Sequence, residues 1–422
     1  MSIAEEKHQI VGRTDNAKWW VLSGATLAYM FDATDFLVLA LGIPLLMKSL
    51  GLTLVEAGSI ASSTMLGAAI ASFIWGPIMD KVGRKKALSL VLAWFSVWTF
   101  ACGLAQNYSQ LLVLRFLCGL GLGAVWPICG TMLAEFFPAN QRARSTSVVQ
   151  SFWAVGYAAA IGIQIWFVPI FGWQGLFFGG SAAILVAAYI HFFVPESPAW
   201  LRIHQEREHE KTKAIDQTAE KKAVEKWTML FKGDNLKPTI LATLLSIFLM
   251  TAYWGSATWI PAYLAKERGL NLKAMSGYLL YFNVFGFFGY YLYGWFADKV
   301  GRRWNFIIGG IVAAILTIVW IKQSSVAGVF WVGMAYAFFS YGVFGPWAAF
   351  VAEQFSNARF RGTGTSIAYG CGRIATVIIP VALGVVATQF NLAIAIGCVS
   401  AFFLLTALTA FFMKETKDLI VK

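Results

Sequence analysis

Twelve apolar segments, each of about 20 residues or somewhat more, follow one another along the 422-residue chain. Their approximate spans are 19–47, 55–79, 86–105, 111–135, 145–170, 173–194, 238–264, 273–297, 304–322, 327–351, 363–388 and 390–413. Roughly 20 helical residues cross the hydrocarbon core of a bilayer. Lipid offers no partner to unpaired backbone groups, so such segments become helices. The period-two alternation of a membrane β-barrel is absent. The expected fold is an all-α membrane protein of twelve transmembrane helices. Composition supports this: charged residues are only 13% of the chain, about half the roughly 25% of soluble domains. That is too little to cover a soluble protein of this size, which excludes a soluble enzyme and a disordered chain.

The net charge of +12 does not point to a nucleic-acid partner, because the basic residues sit in short loops. With both termini on one side, that side carries 26 of the 33 Lys and Arg residues and the other side 5. The asymmetry predicts cytoplasmic termini and a place in the cell (inner) membrane. The first 18 residues are polar and lack a signal-peptide core, so the first apolar run is expected to act as an uncleaved insertion signal. The five cysteines, Cys102, Cys118, Cys129, Cys371 and Cys398, all fall in apolar segments without a C-x-x-C spacing. They read as membrane-buried thiols, not as a metal site.

The chain repeats itself. After the second segment stands G-P-I-M-D-K-V-G-R-K, from Gly76 to Lys85, and after the eighth G-W-F-A-D-K-V-G-R-R, from Gly294 to Arg303, 218 residues later. Glu135 with Arg142 and Arg144 is matched by Glu353 with Arg359 and Arg361, at offsets of 218, 217 and 217. A weaker pair is P-E-S-P at 195–198 against K-E-T-K at 414–417. The reading is two six-helix halves of like topology, 1–194 and 238–422, joined by a linker over 195–237. Within the linker, charges of both signs at helical spacing predict a surface helix, either a solvated connection or a partner site.

The repeated loops suggest a latch. An aspartate at a helix end, Asp80 or Asp298, can accept charge-assisted bonds from an arginine or from a helix N-terminus of the opposite half. Gly76 allows close helix approach and Gly83 a tight turn. The expected cytoplasmic gate comprises Asp80, Arg84, Glu135, Arg142, Arg144, Asp298, Arg302, Glu353, Arg359 and Arg361. Topology alone would account for the basic residues but not for aspartates at matching places.

Four ionisable residues interrupt the apolar segments: Asp32, Asp35, Arg115 and Arg373. Each costs about 2.5–3.5 kcal/mol at mid-membrane on the lenient scale, so each is a functional candidate. Asp32 and Asp35 lie near one face of the first helix, and one of them, by preference Asp35, which lies deeper in the segment, is expected to carry the coupling proton; a brace to a neighbouring helix is the other reading. Arg373 is the expected ligand of a substrate anion, since a guanidinium fork matches a carboxylate. Arg115 is either a second substrate ligand or the structural partner of an aspartate. Tyr29, Gln164, Trp254, Asn283 and Tyr369 are expected to complete the site, with Trp126, Gln150, Trp153, Tyr157, Tyr253, Tyr281, Tyr341 and Trp347 as further candidates. The run G-L-G-L-G at 119–123 lies inside an apolar helix and reads as close helix packing, not as a phosphate loop.

These residues resemble the major facilitator superfamily. Its marks are G-x-x-x-D-[KR]-x-G-R-[KR] in both halves, the glutamate seven residues before an arginine after segment four, and P-E-S at the end of segment six. F-D-A-T-D-F (31–36), Q-S-F-W-A-V-G-Y (150–157), V-P-E-S-P-A-W-L (194–201) and A-Y-G-C-G-R (368–373) further resemble the bacterial metabolite:proton symporters, a branch with sialate, lactate, aromatic-acid and nicotinate-like carriers. The resemblance implies two bundles around a cavity that opens alternately to each side, lined by segments 1, 4, 7 and 10 and flanked by 2, 5, 8 and 11. It implies proton-coupled uptake of a small organic anion by a monomer, with protons as coupling ion and no cofactor. A carrier of a neutral sugar or polyol and a drug or metabolite exporter are the alternatives. The antiporter signature G-x-x-x-G-P-x-x-G-G is missing from segment five, which weighs against export.

Overall fold

The computed structural model describes residues 3–52, 54–206, 227–355 and 361–417. The N-terminal half holds α1 (Ile3–Leu50), α2 (Leu54–Val82), α3 (Arg84–Cys102), α4 (Tyr108–Phe136), α5 (Arg142–Phe171), α6 (Gln174–Gly180) and α7 (Ala183–Phe193). The C-terminal half holds α8 (Leu236–Lys266), α9 (Leu272–Val300), α10 (Arg302–Ile321), α11 (Val326–Phe344), α12 (Trp347–Gln354), α13 (Arg361–Gln389) and α14 (Leu392–Phe412). Ten stretches of the described residues are long and apolar enough to cross a membrane; α3 and α9 complete the twelve crossings of the two-bundle fold.

Local chemistry sets the ends of these helices. The side chains of Asn107, Asn271, Ser325 and Asn391 each accept a bond from a backbone N–H in the first turn of the helix that follows, satisfying one of its free donors. Gly83 and Gly301 turn the chain between α2 and α3 and between α9 and α10 with φ of 102° and 128°, a region costly for any side chain. Two segments expected as single helices are broken. The sixth is interrupted between α6 and α7, and the tenth at Gly345 and Pro346, where proline removes a helical donor. Conversely, α1 starts at Ile3, well before the apolar run. The expected surface helix of the linker falls largely on 207–226, outside the described residues; 198–206 are helical.

Glycines allow helices to touch backbone to backbone. A Cβ on Gly67 or Gly119 would meet the facing backbone of α4 or α2, so the glycine run at 119–123 packs helices. Between the halves, α2 lies along α13 and α5 along α9. A Cβ on Gly76 would stand 2.8 Å from Ser366 Cβ, and one on Gly294 would stand 2.6 Å from Ser147 Cβ. The first glycine of each repeated loop motif is therefore where one bundle presses against the other. With twelve crossings, both chain ends share a face, termed here the terminal face.

Candidate functional site

The terminal face carries the charged loops as one two-fold network. Asp80, at the end of α2, accepts from the backbone N–H of Thr363 at 2.8 Å and its hydroxyl at 2.7 Å, capping the first turn of α13 across the bundle boundary. Asp298 does the same for α5, accepting from the N–H groups of Ala143 and Arg144 at 3.2 and 2.9 Å. Each aspartate also pairs with the arginine four residues on: Arg84 at 3.2 Å and Arg302 at 3.0 Å. Glu135 is gripped by Arg84 at 3.0 Å within its bundle and by Arg361 of the other bundle at 3.1 Å. Glu353 is held by Arg302 at 3.3 Å and, across the boundary, by Arg142 at 3.4 Å. Four carboxylate contacts described above thus cross the boundary, two at each end of the pseudo-two-fold, and Arg302 Nη2 also donates across it to the Ala139 carbonyl.

One sequence pairing changes. Arg142 matches Arg361, not Arg359, and Arg144 has no arginine counterpart on α13; its part in the network is its backbone N–H, which corresponds to that of Thr363. The connection after Glu353 is one residue longer than that after Glu135, so the offset becomes 219. Arg142 Nε donates to the Phe137 carbonyl at 2.9 Å and Arg361 Nε to that of Phe355 at 3.2 Å, the same bond in each half. Arg359 lies outside the described residues. The weak P-E-S-P and K-E-T-K pair proves to be part of the network: Glu196 accepts from the backbone N–H groups of Arg84 and Lys85 at 2.8 and 3.1 Å, and Glu415 from those of Arg302 and Arg303 at 2.9 and 3.1 Å. Ser197 and Thr416 each donate to the glutamate of their own half at 2.5 Å. The sequence signal was the shared offset; the helix starts that these carboxylates cap were not visible in it.

The two aspartates of α1 part ways. Asp35 points into the N-terminal bundle, where Arg115 Nη1 approaches it at 2.9 Å and the Thr99 hydroxyl donates at 2.5 Å. Arg115 Nε donates to Thr64 at 3.2 Å, and Cys118 lies 3.5 Å from the same carboxylate. Asp35, Arg115, Thr99 and Cys118 are buried within the bundle, whereas Thr64 also lines the larger cavity described below; Arg115 lines neither cavity. Asp32 is fully buried, and neither of its carboxylate oxygens has a hydrogen-bond partner among the described residues.

Arg373, on α13, is the complement of Asp32. Its Nε and Nη2 both donate to the Tyr369 hydroxyl, at 3.0 and 2.6 Å, and its Nη1 lies 3.8 Å from Met65 Sδ. The guanidinium also lies over the rings of Phe36 and Tyr369, at 5.2 and 5.1 Å. No carboxylate lies within ion-pair distance of it among the described residues. It is 3% exposed, a buried cation with no carboxylate in contact among the described residues.

Two cavities lie between the bundles. The smaller, of about 20 Å³, is lined by Arg373, Tyr369, Tyr29, Gln150, Met250 and Phe344 together with Trp153, Tyr253 and Trp254. The larger, of about 360 Å³, shares those last three and runs on between Phe36, Ile43, Tyr157, Ile260, Phe282 and Asn283. Its walls come from the end of α1, the start of α2 and the end of α8, so it lies toward the face opposite the termini. Gln150 donates to the Tyr29 hydroxyl at 2.9 Å, and Trp153 of one bundle meets Trp254 of the other edge-on at 6.0 Å.

Of the expected completing residues, Tyr29, Tyr369, Trp254 and Asn283 line these cavities and Gln164 lines neither. Asn283 donates to the Leu279 carbonyl of its own helix at 2.8 Å. Phe36, Met65, Met250 and Phe344 went unnoticed in the sequence because apolar side chains in a membrane helix carry no mark of which way they face.

A family model described as "Major Facilitator Superfamily" matches residues 25–380. The cis,cis-muconate transport protein of Acinetobacter baylyi is 32% identical over 398 residues, 93% of each chain. The niacin transporter NiaP of the same organism is 29% identical over 388 residues, 88% of this chain and 87% of its own. Among solved structures, the proton:xylose symporter XylE superposes with a TM-score of 0.77 over 97% of this chain and 98% of that one, at 17% identity, a likeness of fold. With the two-bundle architecture and the doubled loop motif, these matches make the chain a multi-pass membrane transporter, not an enzyme, and it belongs to the major facilitator superfamily.

Proposed function

We propose that the chain takes up a small organic anion together with protons across the cell membrane, with both termini in the cytoplasm. The observation that carries this reading is the buried Arg373 guanidinium, which faces the inter-bundle cavity with no carboxylate in contact among the described residues. A buried cation with no carboxylate in contact is costly, and an incoming carboxylate supplies one through charge-assisted bonds. The names of the related carriers, for muconate and for niacin, support an organic acid as the cargo.

Charge arithmetic supports a proton partner. Arg373 and an ionised Asp32 sum to zero, and a bound anion makes the site negative. One proton on Asp32 restores neutrality, so anion and proton lower each other's cost of entering a closed, low-dielectric chamber. The latch on the terminal face is made while the larger cavity lies toward the opposite face, the geometry of an outward-facing carrier. Neutral loading then lets the bundles rock about the site, breaking the contacts of Asp80 and Asp298. Protons are the coupling ion; the pathway lies within one chain, as a monomeric carrier requires.

Proteoliposomes with an imposed inward proton gradient test this. Carboxylates are expected to accumulate, and a protonophore to abolish accumulation. Accumulation that ignores the gradient would remove the coupling, and transport of neutral sugars in place of acids would remove the anion.

A further inference from the structure

The likeness of the two halves breaks down at one corner of the terminal face. Where α9 ends, α10 begins and α14 ends, basic side chains are laid over aromatic rings. Lys299 Nζ lies over the Trp295 ring at 4.1 Å, and the Arg303 guanidinium lies over the rings of Phe411 and Trp304 at 5.1 and 6.0 Å. Lys417 Nζ donates to the Lys299 carbonyl at 2.7 Å, which brings the segment after α14 onto the same corner. At the offset of 218, Trp295, Lys299, Arg303 and Trp304 correspond to Pro77, Lys81, Lys85 and Lys86. The N-terminal half keeps the basic residues, but among the described residues none of these three lysines lies over a ring.

The cations of this corner lack acid partners. Among the described residues, no carboxylate pairs with Lys299, Arg303 or Lys417, and Arg303 Nε is buried without a hydrogen-bond partner. The neighbouring acid, Glu415, gives its two oxygens to the backbone N–H groups of Arg302, Arg303, Thr416 and Lys417. Those bonds, with the Asp298–Arg302 pair, fix the turn between α9 and α10. The charges therefore stand on a preformed frame and lose little freedom when they bind.

Trp295, Trp304 and Phe411 are 43%, 46% and 54% exposed at helix ends, the level at which aromatic side chains meet lipid headgroups. Trp295 stands about one turn deeper in the membrane than Lys299. A ring face holds a cation in place without using its N–H donors. A ligand that suits both parts of the corner carries a net negative phosphate and acyl chains. A soluble phosphate has no use for the rings, and a zwitterionic lipid brings its own cation.

We propose that this corner is a binding site for an anionic phospholipid, its phosphate held by Lys299 and Arg303 and its acyl chains lying along Trp295, Trp304 and Phe411.

Native mass spectrometry of the purified full chain, titrated with dimyristoyl phosphatidylglycerol and with dimyristoyl phosphatidylcholine, tests this. Phosphatidylglycerol is expected to bind at least about tenfold more tightly, since each basic residue near an anionic lipid strengthens binding several-fold. Lys299→Gln/Arg303→Gln should remove most of that preference with phosphatidylcholine affinity unchanged, which separates loss of the site from loss of the fold. Lys85→Gln/Lys86→Gln takes the same charge from the matching corner and should alter the preference less than about twofold. An equal loss in both variants would reduce the site to the general basic character of this face and overturn it, as would equal affinity of the unaltered chain for the two lipids. Displacement of the bound lipid by millimolar glycerol 3-phosphate would overturn the part given to the rings.

Discussion

Two acid–arginine sets sit in the membrane part of this protein, and they are built oppositely. Asp35 and Arg115 lie 2.9 Å apart within one bundle, with Thr99, Thr64 and Cys118 around them. Asp32 and Arg373 belong to different bundles, and among the described residues neither has an ion-pair partner. The contacting pair cancels its own charge, with Arg115 Nη2 left without a hydrogen-bond partner among the described residues, and holds helices α1, α3 and α4 together. An unsaturated pair split across the boundary leaves charge for something that arrives and departs. The difference assigns structural work to the first set and, on the reading proposed, cargo and proton to the second.

The largest expected effect falls on the Asp35–Arg115 pair. Arg115→Gln strands the Asp35 carboxylate inside the bundle, a loss of about 3–5 kcal/mol. Thermal unfolding in detergent should show a much lower midpoint, and Asp35→Asn in the same chain should restore most of it. An unchanged midpoint in the single variant would mean the pair is not structural. Arg373→Gln should do the reverse. Folding should be unharmed or improved, because a buried cation with no carboxylate in contact is gone, while anion affinity falls by about 2–5 kcal/mol. Retained binding in that variant would break the contrast between the two sets.

A subtler effect is expected from Asp32→Asn. Carboxylate binding should persist, but uptake should lose its dependence on the proton gradient; full gradient-driven accumulation would take Asp32 out of the coupling. Asp80→Asn keeps one acceptor oxygen for Thr363 and gives up the charge that pairs with Arg84. The lost charge-assisted contact, about 1–2 kcal/mol, should favour states open on the terminal face. A cysteine replacing Ser366, buried where α13 meets Gly76 of α2, should then react with a thiol reagent about tenfold faster. An unaltered rate would show that the latch does not set the balance between states.

The latch was legible in the sequence because its parts are written twice. A glycine, an aspartate and an arginine recurring at an offset of 218 in short loops need no three-dimensional knowledge to be paired. The pairing slipped by two residues only past Glu353, where an extra residue moves Arg361, not Arg359, into the place of Arg142. The central site was legible only as a set of types. Arg373, Tyr29, Tyr369, Trp254 and Asn283 were visible as polar or aromatic interruptions of apolar helices, but so was Gln164, which the fold leaves outside both cavities.

From the order of residues alone follow the helices, their number, the duplication and the list of costly charges, since each depends on local composition, on the thickness of a bilayer or on a count of loops. Which aspartate finds an arginine does not follow. Asp32 and Asp35 are three positions apart on one helix and alike in every local respect; a rotation of about 60° about the helix axis aims one at Arg115 inside its own bundle and leaves the other without a hydrogen-bond partner among the described residues. That choice is made by the packing of distant helices, where ion-pair energy varies over a few ångströms, and only the assembled bundles decide it.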